Sequence, residues 1–245
     1  MAREVSSISR FGLTEPFELQ VSRGQVYRHT PLFKYGYNPL IVNVNETIWD
    51  GGGIYSYPAS ALSMTVTSAA GATDNGVQVV VIGLDANWAE VTQTATLAGS
   101  GTATLTTSLR RVYRAYITGT QSPTASITIA NGGTTYAQIT SGENQTLMAV
   151  YTVPAGKTLY LNRGTANFGT DLSGAYLTIR FMQRPFGGLF RTAMKLDLIS
   201  GREDFNFMYP QVFPEKTDLE VRGICSKNQA NAVSATFQGV LIDNA

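Results

Sequence analysis

Residues 76–117 read GVQVVVIGLDANWAEVTQTATLAGSGTATLTTSLRRVYRAYI. An unbroken run from Val77 to Ile82 is stopped by Gly83-Leu84-Asp85. A second run, Val91 to Leu97, alternates apolar and polar residues at a period of two. After Gly99-Ser100-Gly101 an extended segment continues from Thr102 to Ile117. β-Branched and aromatic runs between Gly and Asp punctuation predict three successive strands, an antiparallel meander. No apolar stripe at spacings of three and four competes with this reading.

The same grammar extends outward in both directions. Ala61–Ser68 predicts a strand before the meander, and Ala125–Ile129 and Thr135–Ile139 predict two after it. Further strands are expected at Gln145–Val153, Thr158–Asn162, Gly174–Gln183, Leu189–Leu198, Glu203–Val212, Thr217–Cys225 and Val233–Ile242. Pro154-Ala155-Gly156-Lys157 supplies a type II turn between the first two of these. The fold class expected is all-β: two β-sandwich or jelly-roll-like units, 59–133 and 134–245, preceded by an extended N-terminal arm at 1–58. A chain of 245 residues is long enough to bury two modest cores.

The arm differs in composition from the rest. Phe17–Val21 alternates and could pair as a strand. Beyond it Tyr27, Phe33, Tyr35, Tyr37, Trp49 and Tyr55 are interleaved with Pro31, Pro39 and Gly51-Gly52-Gly53. The breakers argue against a continuous ladder, while each ring left in water forgoes roughly 2 kcal/mol or more. Such a segment must lie on its own sandwich or on a neighbouring subunit. The second expectation makes those six aromatics a candidate assembly interface and the chain a homo-oligomer.

Charge and residue chemistry exclude several classes. With 18 basic and 17 acidic residues the net charge is +1, which lacks the basic excess expected for nucleic acid or anionic lipid. No run approaches membrane-spanning length, and the first residues, MAREVSSISRFGL, lack the apolar core of a signal peptide. A chain folded in a cytoplasm is expected. Charged residues make up 14% of the chain against about 25% in ordinary soluble domains, a surface poorly defended against association. The single cysteine, Cys225, lies in an apolar run and reads as a buried strand thiol. One histidine, His29, and one cysteine cannot build a zinc site, and neither has a partner in a nucleophile spacing. The glycine clusters lack the lysine and hydroxyl residue of a phosphate loop. No catalytic residue, metal or cofactor is expected, and the chain reads as a non-enzyme.

Five stretches resemble virion structural proteins of tailed, marine-type bacteriophages: FELQVSRGQVYRHTPLFKYGYN at 17–38, VIGLDANWAEVTQTATL at 81–97, SLRRVYRAYIT at 108–118, ENQTLMAVYTVPAGKTLYL at 143–161 and RPFGGLF at 184–190. They occur in matching order over most of the chain. The resemblance implies a place in the virion, assembled in the host cytoplasm. A multi-copy capsid decoration or knob component is expected, forming trimers and contacting other virion proteins such as the major capsid protein. A tail or fibre module that recognises host-surface glycan, through loop aromatics such as Trp49, Tyr55 and Tyr57, is the alternative. A glycan-cleaving enzyme ranks last.

Overall fold

The computed structural model describes residues 15–169, 173–199, 201–228 and 231–244. The segment 1–14 of the expected arm lies outside the described residues. In chain order the elements are a short helix α1 (Phe17–Ser22) and the strands β1 (His29–Ile41), β2 (Glu46–Thr47), β3 (Thr65–Ser68), β4 (Gln78–Leu84), β5 (Glu90–Thr96), β6 (Thr102–Thr104), β7 (Arg111–Thr118), β8 (Ile127–Asn131) and β9 (Thr134–Ile139). They continue with β10 (Val150–Thr152), β11 (Lys157–Gly169), β12 (Leu177–Arg184), β13 (Arg191–Leu198), β14 (Gly201–Phe213), β15 (Asp218–Cys225) and β16 (Asn231–Asp243). The fold is all-β, in four antiparallel sheets that pair into two sandwiches. The first sandwich faces the sheet β6-β3-β8-β9 against β5-β4-β7. The second faces β1-β16-β11-β14 against β10-β15-β12-β13, with β2 added beside β15.

The meander is modified. β4 lies between β5 and β7 as a three-stranded sheet, but the segment expected as one strand from Thr102 to Ile117 is cut in two. Its first part, β6, crosses to the opposite sheet and pairs with β3. Leu105 and Leu109, which form hydrogen bonds with the backbone of Met64 and Leu62, carry the chain across. β9 pairs with β8, so the first sandwich continues past the expected boundary at 133/134 to Ile139.

The larger correction concerns the arm. Residues 29–41 are not extended over a surface: β1 is a 13-residue strand paired antiparallel to β16, from His29↔Ile242 to Asn38↔Val233. The prolines are tolerated because β1 is an edge strand, with one side free of ladder bonds. Gly36, which reads as a breaker, is instead a point of close approach. A Cβ there would lie 2.3 Å from Ala149 N and from Ile48 O, so only glycine lets β1 seat against that backbone. Phe17–Val21, expected as a strand, is helical; the Pro16 carbonyl accepts from the N–H groups of Leu19 and Gln20 and starts the turn. Five residues of alternation do not separate the two periods.

Two hydrophobic cores result, and the strands between them serve both. Met148 and Val150 pack in the first core, whereas Ala149, Tyr151 and Val153 pack in the second. On β7, Val112 and Ala115 face the first core and Tyr113 the second. Alternation at period two therefore divides one segment between two interiors. It also explains the unbroken run of β4, which is buried on both faces: Val79 and Val81 enter the first core, and Ile82 packs against the second.

Candidate functional site

The six aromatics expected to form one interface are separated by the structure. Trp49 and Tyr55 are 4% and 2% exposed and belong to the first core. Their rings meet edge-on at 5.4 Å. Trp49 Nε1 donates to Gly52 O at 2.8 Å, and Tyr55 Oη donates to Val112 O at 2.9 Å. They cannot form an assembly surface, because burial in their own sandwich already satisfies both ring and polar tip. Tyr57 is half-buried, and burial raises its phenol, so the loop-aromatic glycan site has no fully exposed ring among these three. Tyr27 is 84% exposed and Phe33 62%. Tyr35 is exposed and Tyr37 half-buried.

Phe33, Tyr35 and Tyr37 stand at alternate positions of β1 and so share its outward face. The registers extend each of them into a row across the sheet. Phe33 aligns with Gln238 on β16, Arg163 on β11 and Asn206 on β14; Tyr35 with Thr236, Thr165 and Asp204; Tyr37 with Ser234, Asn167 and Arg202. Between these rows the inward positions Lys34, Phe237, Ala235 and Ala166 are buried. Thr165 and Thr236 share a hydrogen bond of 2.8 Å, and Arg202 donates to Asp204 at 2.8 Å. Arg163 has no hydrogen-bond or ion-pair partner among the described residues. A groove of about 510 Å³ runs over this face, bordered by Phe33 and Tyr35 on one side and Arg202 on the other.

Only the aromatic column of this grid was singled out in the sequence. The missed columns had a signal, the period-two polarity of Arg163, Thr165 and Asn167 and of Ser234, Thr236 and Gln238. The strand at 158–162 was expected to end where β11 instead continues to Gly169. Gly164 hides that continuation, since glycine weakens a strand reading. In the fold it makes room for the Phe205 ring, which passes 2.1 Å from where its Cβ would be.

Behind β1 a second cavity of about 620 Å³ lies among β1, β16, β7 and α1. Lys34 lines it, buried, with Nζ donating to Tyr113 O and lying 5.5 Å from the Tyr113 ring centroid. Burial, with Arg114 nearby, pushes the Lys34 ammonium down to about 7. Tyr113 Oη donates to Glu90, and burial raises the phenols of both Tyr113 and Tyr151.

The remaining concentration of charge is the joint between the sandwiches. Asp218 accepts from Arg111, Arg184 and Thr152. Arg111 also lies over the rings of Tyr57 and Trp88, and Arg184 over Tyr57 and Phe190. Buried Glu220, its carboxyl raised by desolvation, is held by Arg222 and Thr47. Every charge named here has a partner, and the cluster reads as a fastening rather than a site. His29 Nδ1 lies 2.7 Å from Tyr27 O, and Cys225 is a buried strand thiol. Among the described residues no helix is long and apolar enough to cross a membrane.

No family model matches the chain, and no curated protein matches it. Among solved structures it is similar to that of the infectious bursal disease virus Gt strain, at 15% identity and a TM-score of 0.26, covering 88% of this chain and 73% of that chain. It is similar also to the infectious bursal disease virus VP2 subviral particle, at 12% identity and a TM-score of 0.24, covering 89% of this chain and 72% of that one. These weak neighbours come from virus particles, and at scores this low no role for this chain follows from them.

Proposed function

We propose that the chain is a non-enzymatic structural component of a tailed-phage virion, a multi-copy capsid decoration or knob protein that self-associates. The observation that carries this reading is where apolar side chains remain uncovered. β13 and β14 are consecutive in sequence yet lie at the open edges of two facing sheets. On and beside them Leu189, Ile199, Met208, Tyr209 and Val212 are exposed, Met208 by 88%. Exposed apolar side chains along open sheet edges mark an interaction surface. On β14 the register jumps from Gln211↔Leu161 to Asn206↔Arg163, so Phe207 to Pro210 bulge away from β11. A bulge containing proline cannot extend a hydrogen-bonded ladder. The contact is therefore made by side chains, with Met208 and Tyr209 at its centre. The sequence resemblance supports the virion setting, and a trimer is its analogy.

The test pairs sedimentation of the purified chain with its copy number in purified particles. The wild type should sediment as an oligomer and be abundant in particles. Met208→Glu with Tyr209→Glu should yield a monomer with unchanged circular dichroism. A wild type that is monomeric at all concentrations and absent from particles refutes the reading. A few copies per particle favours the tail or fibre alternative.

A further inference from the structure

The outer face of the β1-β16-β11-β14 sheet is not used by either core, by the joint or by the β13–β14 edge. We propose that this face binds an acidic glycan, a sugar chain bearing carboxylates, laid across the strands from the Phe33–Tyr35 border toward β14. The inference rests neither on the virion reading nor on self-association.

Side-chain chemistry selects the class of ligand. Beyond the aromatic column, the grid holds only hydroxyl, amide, guanidinium and carboxylate side chains, with no aliphatic one among them. A protein partner would be met by apolar anchors like those of the β13–β14 edge, and a nucleic acid by several unpaired cations. A sugar presents adjacent hydroxyls that both donate and accept, which amide and guanidinium groups match, and C–H faces that pack on rings such as Phe33 and Tyr35. The groove of about 510 Å³ lies within the range of roughly 300–1,000 Å³ typical of small-ligand sites.

Charge narrows the class further. Arg202 is committed to Asp204 at 2.8 Å, which leaves Arg163, in the middle of the Phe33 row, as the cation without a partner among the described residues. A carboxylate matches the guanidinium in charge and in its two-point geometry. Gln238 and Asn206 flank that position in the same row and supply the neighbouring hydroxyl contacts.

The experiment titrates the full chain with oligogalacturonate, using maltohexaose as the neutral control, by calorimetry or saturation-transfer NMR. Saturable binding of the acidic oligomer is expected, with ring protons of Phe33 and Tyr35 perturbed and the neutral control bound more weakly. Tyr35→Ala should weaken binding by about tenfold or more, as loss of a stacked ring does. Arg163→Gln should weaken the acidic oligomer by about tenfold while leaving the control unchanged. Both positions are exposed, so folding should be intact by circular dichroism. Absence of saturable binding, or binding indifferent to both substitutions, overturns the proposal. Equal binding of acidic and neutral oligomers overturns the acidic class.

Discussion

Arg111 on β7 of the first sandwich and Asp218 on β15 of the second form a two-point ion pair, with Nε–Oδ1 at 2.7 Å and Nη2–Oδ2 at 3.1 Å. Both side chains are withdrawn from water. The pair joins residues far apart in sequence and fixes how the sandwiches meet. Removing Asp218 leaves two guanidiniums, Arg111 and Arg184, without their shared carboxylate. Asp218→Ala should cost about 3–5 kcal/mol, as expected when one partner of a buried pair is lost. Arg184, which is partly exposed, should matter less: about 1 kcal/mol for Arg184→Met. Urea unfolding of the two variants checks the order, and equal costs would contradict it.

Gly36 seats β1 against the Ile48 and Ala149 backbone. Gly36→Ala places a methyl against atoms that cannot rotate away, so a loss of about 1–3 kcal/mol is expected. Gly24, with open space around its Cβ position, has no such neighbour, but its φ of 67° makes it an imperfect control. Thr30→Ala, at an exposed position of the same strand, is the better comparison and should be near neutral. Melting temperatures decide between them.

The division of the six aromatics predicts two classes of truncation. Trp49→Ala should destabilise by about 3–5 kcal/mol, because it empties a filled core position and orphans the Gly52 carbonyl. Tyr27→Ala should stay within about 0.5 kcal/mol. Chemical denaturation of both measures the contrast. A tolerated Trp49→Ala would remove Trp49 from the core.

Lys34 makes stability depend on pH. Its ammonium titrates near 7 in the folded chain and near 10.5 when unfolded, so between those values the unfolded state binds more protons and stability rises with pH. The contribution is fully present above pH 10.5 and is lost as pH falls through 7. Lys34→Met removes the buried charge and should stabilise the protein at neutral pH by on the order of 3 kcal/mol. The advantage should shrink as pH approaches 10. A wild-type minus variant difference that stays flat from pH 7 to 10 would show that Lys34 is not desolvated.

What the sequence determined by itself was local and periodic. Strand runs such as Val77–Ile82, stopped by Gly83 and Asp85, specify an all-β chain because side-chain alternation and backbone freedom are properties of neighbouring residues, whereas of the strand expected at Gln145–Val153 only Val150–Thr152 forms. Phe33, Tyr35 and Tyr37 stood out as rings in need of a partner, but the strand that sets them at alternate positions did not. Tertiary structure decided everything that depended on a distant partner. Gly36 and Pro31 read as breakers until β16 and the Ile48–Ala149 backbone supply the reason for a glycine and an edge on which a proline is tolerated. Trp49 and Tyr55 read as interface until the first core closes over them. The polar columns of β11 and β16 become one face only when the register aligns Arg163 with Gln238. Asp218 lies within the expected strand Thr217–Cys225, and only the meeting of two sandwiches brings Arg111 and Arg184 to it. Periodicity along a chain says which side of a strand is buried, and pairing across chain-distant strands determines what that side faces.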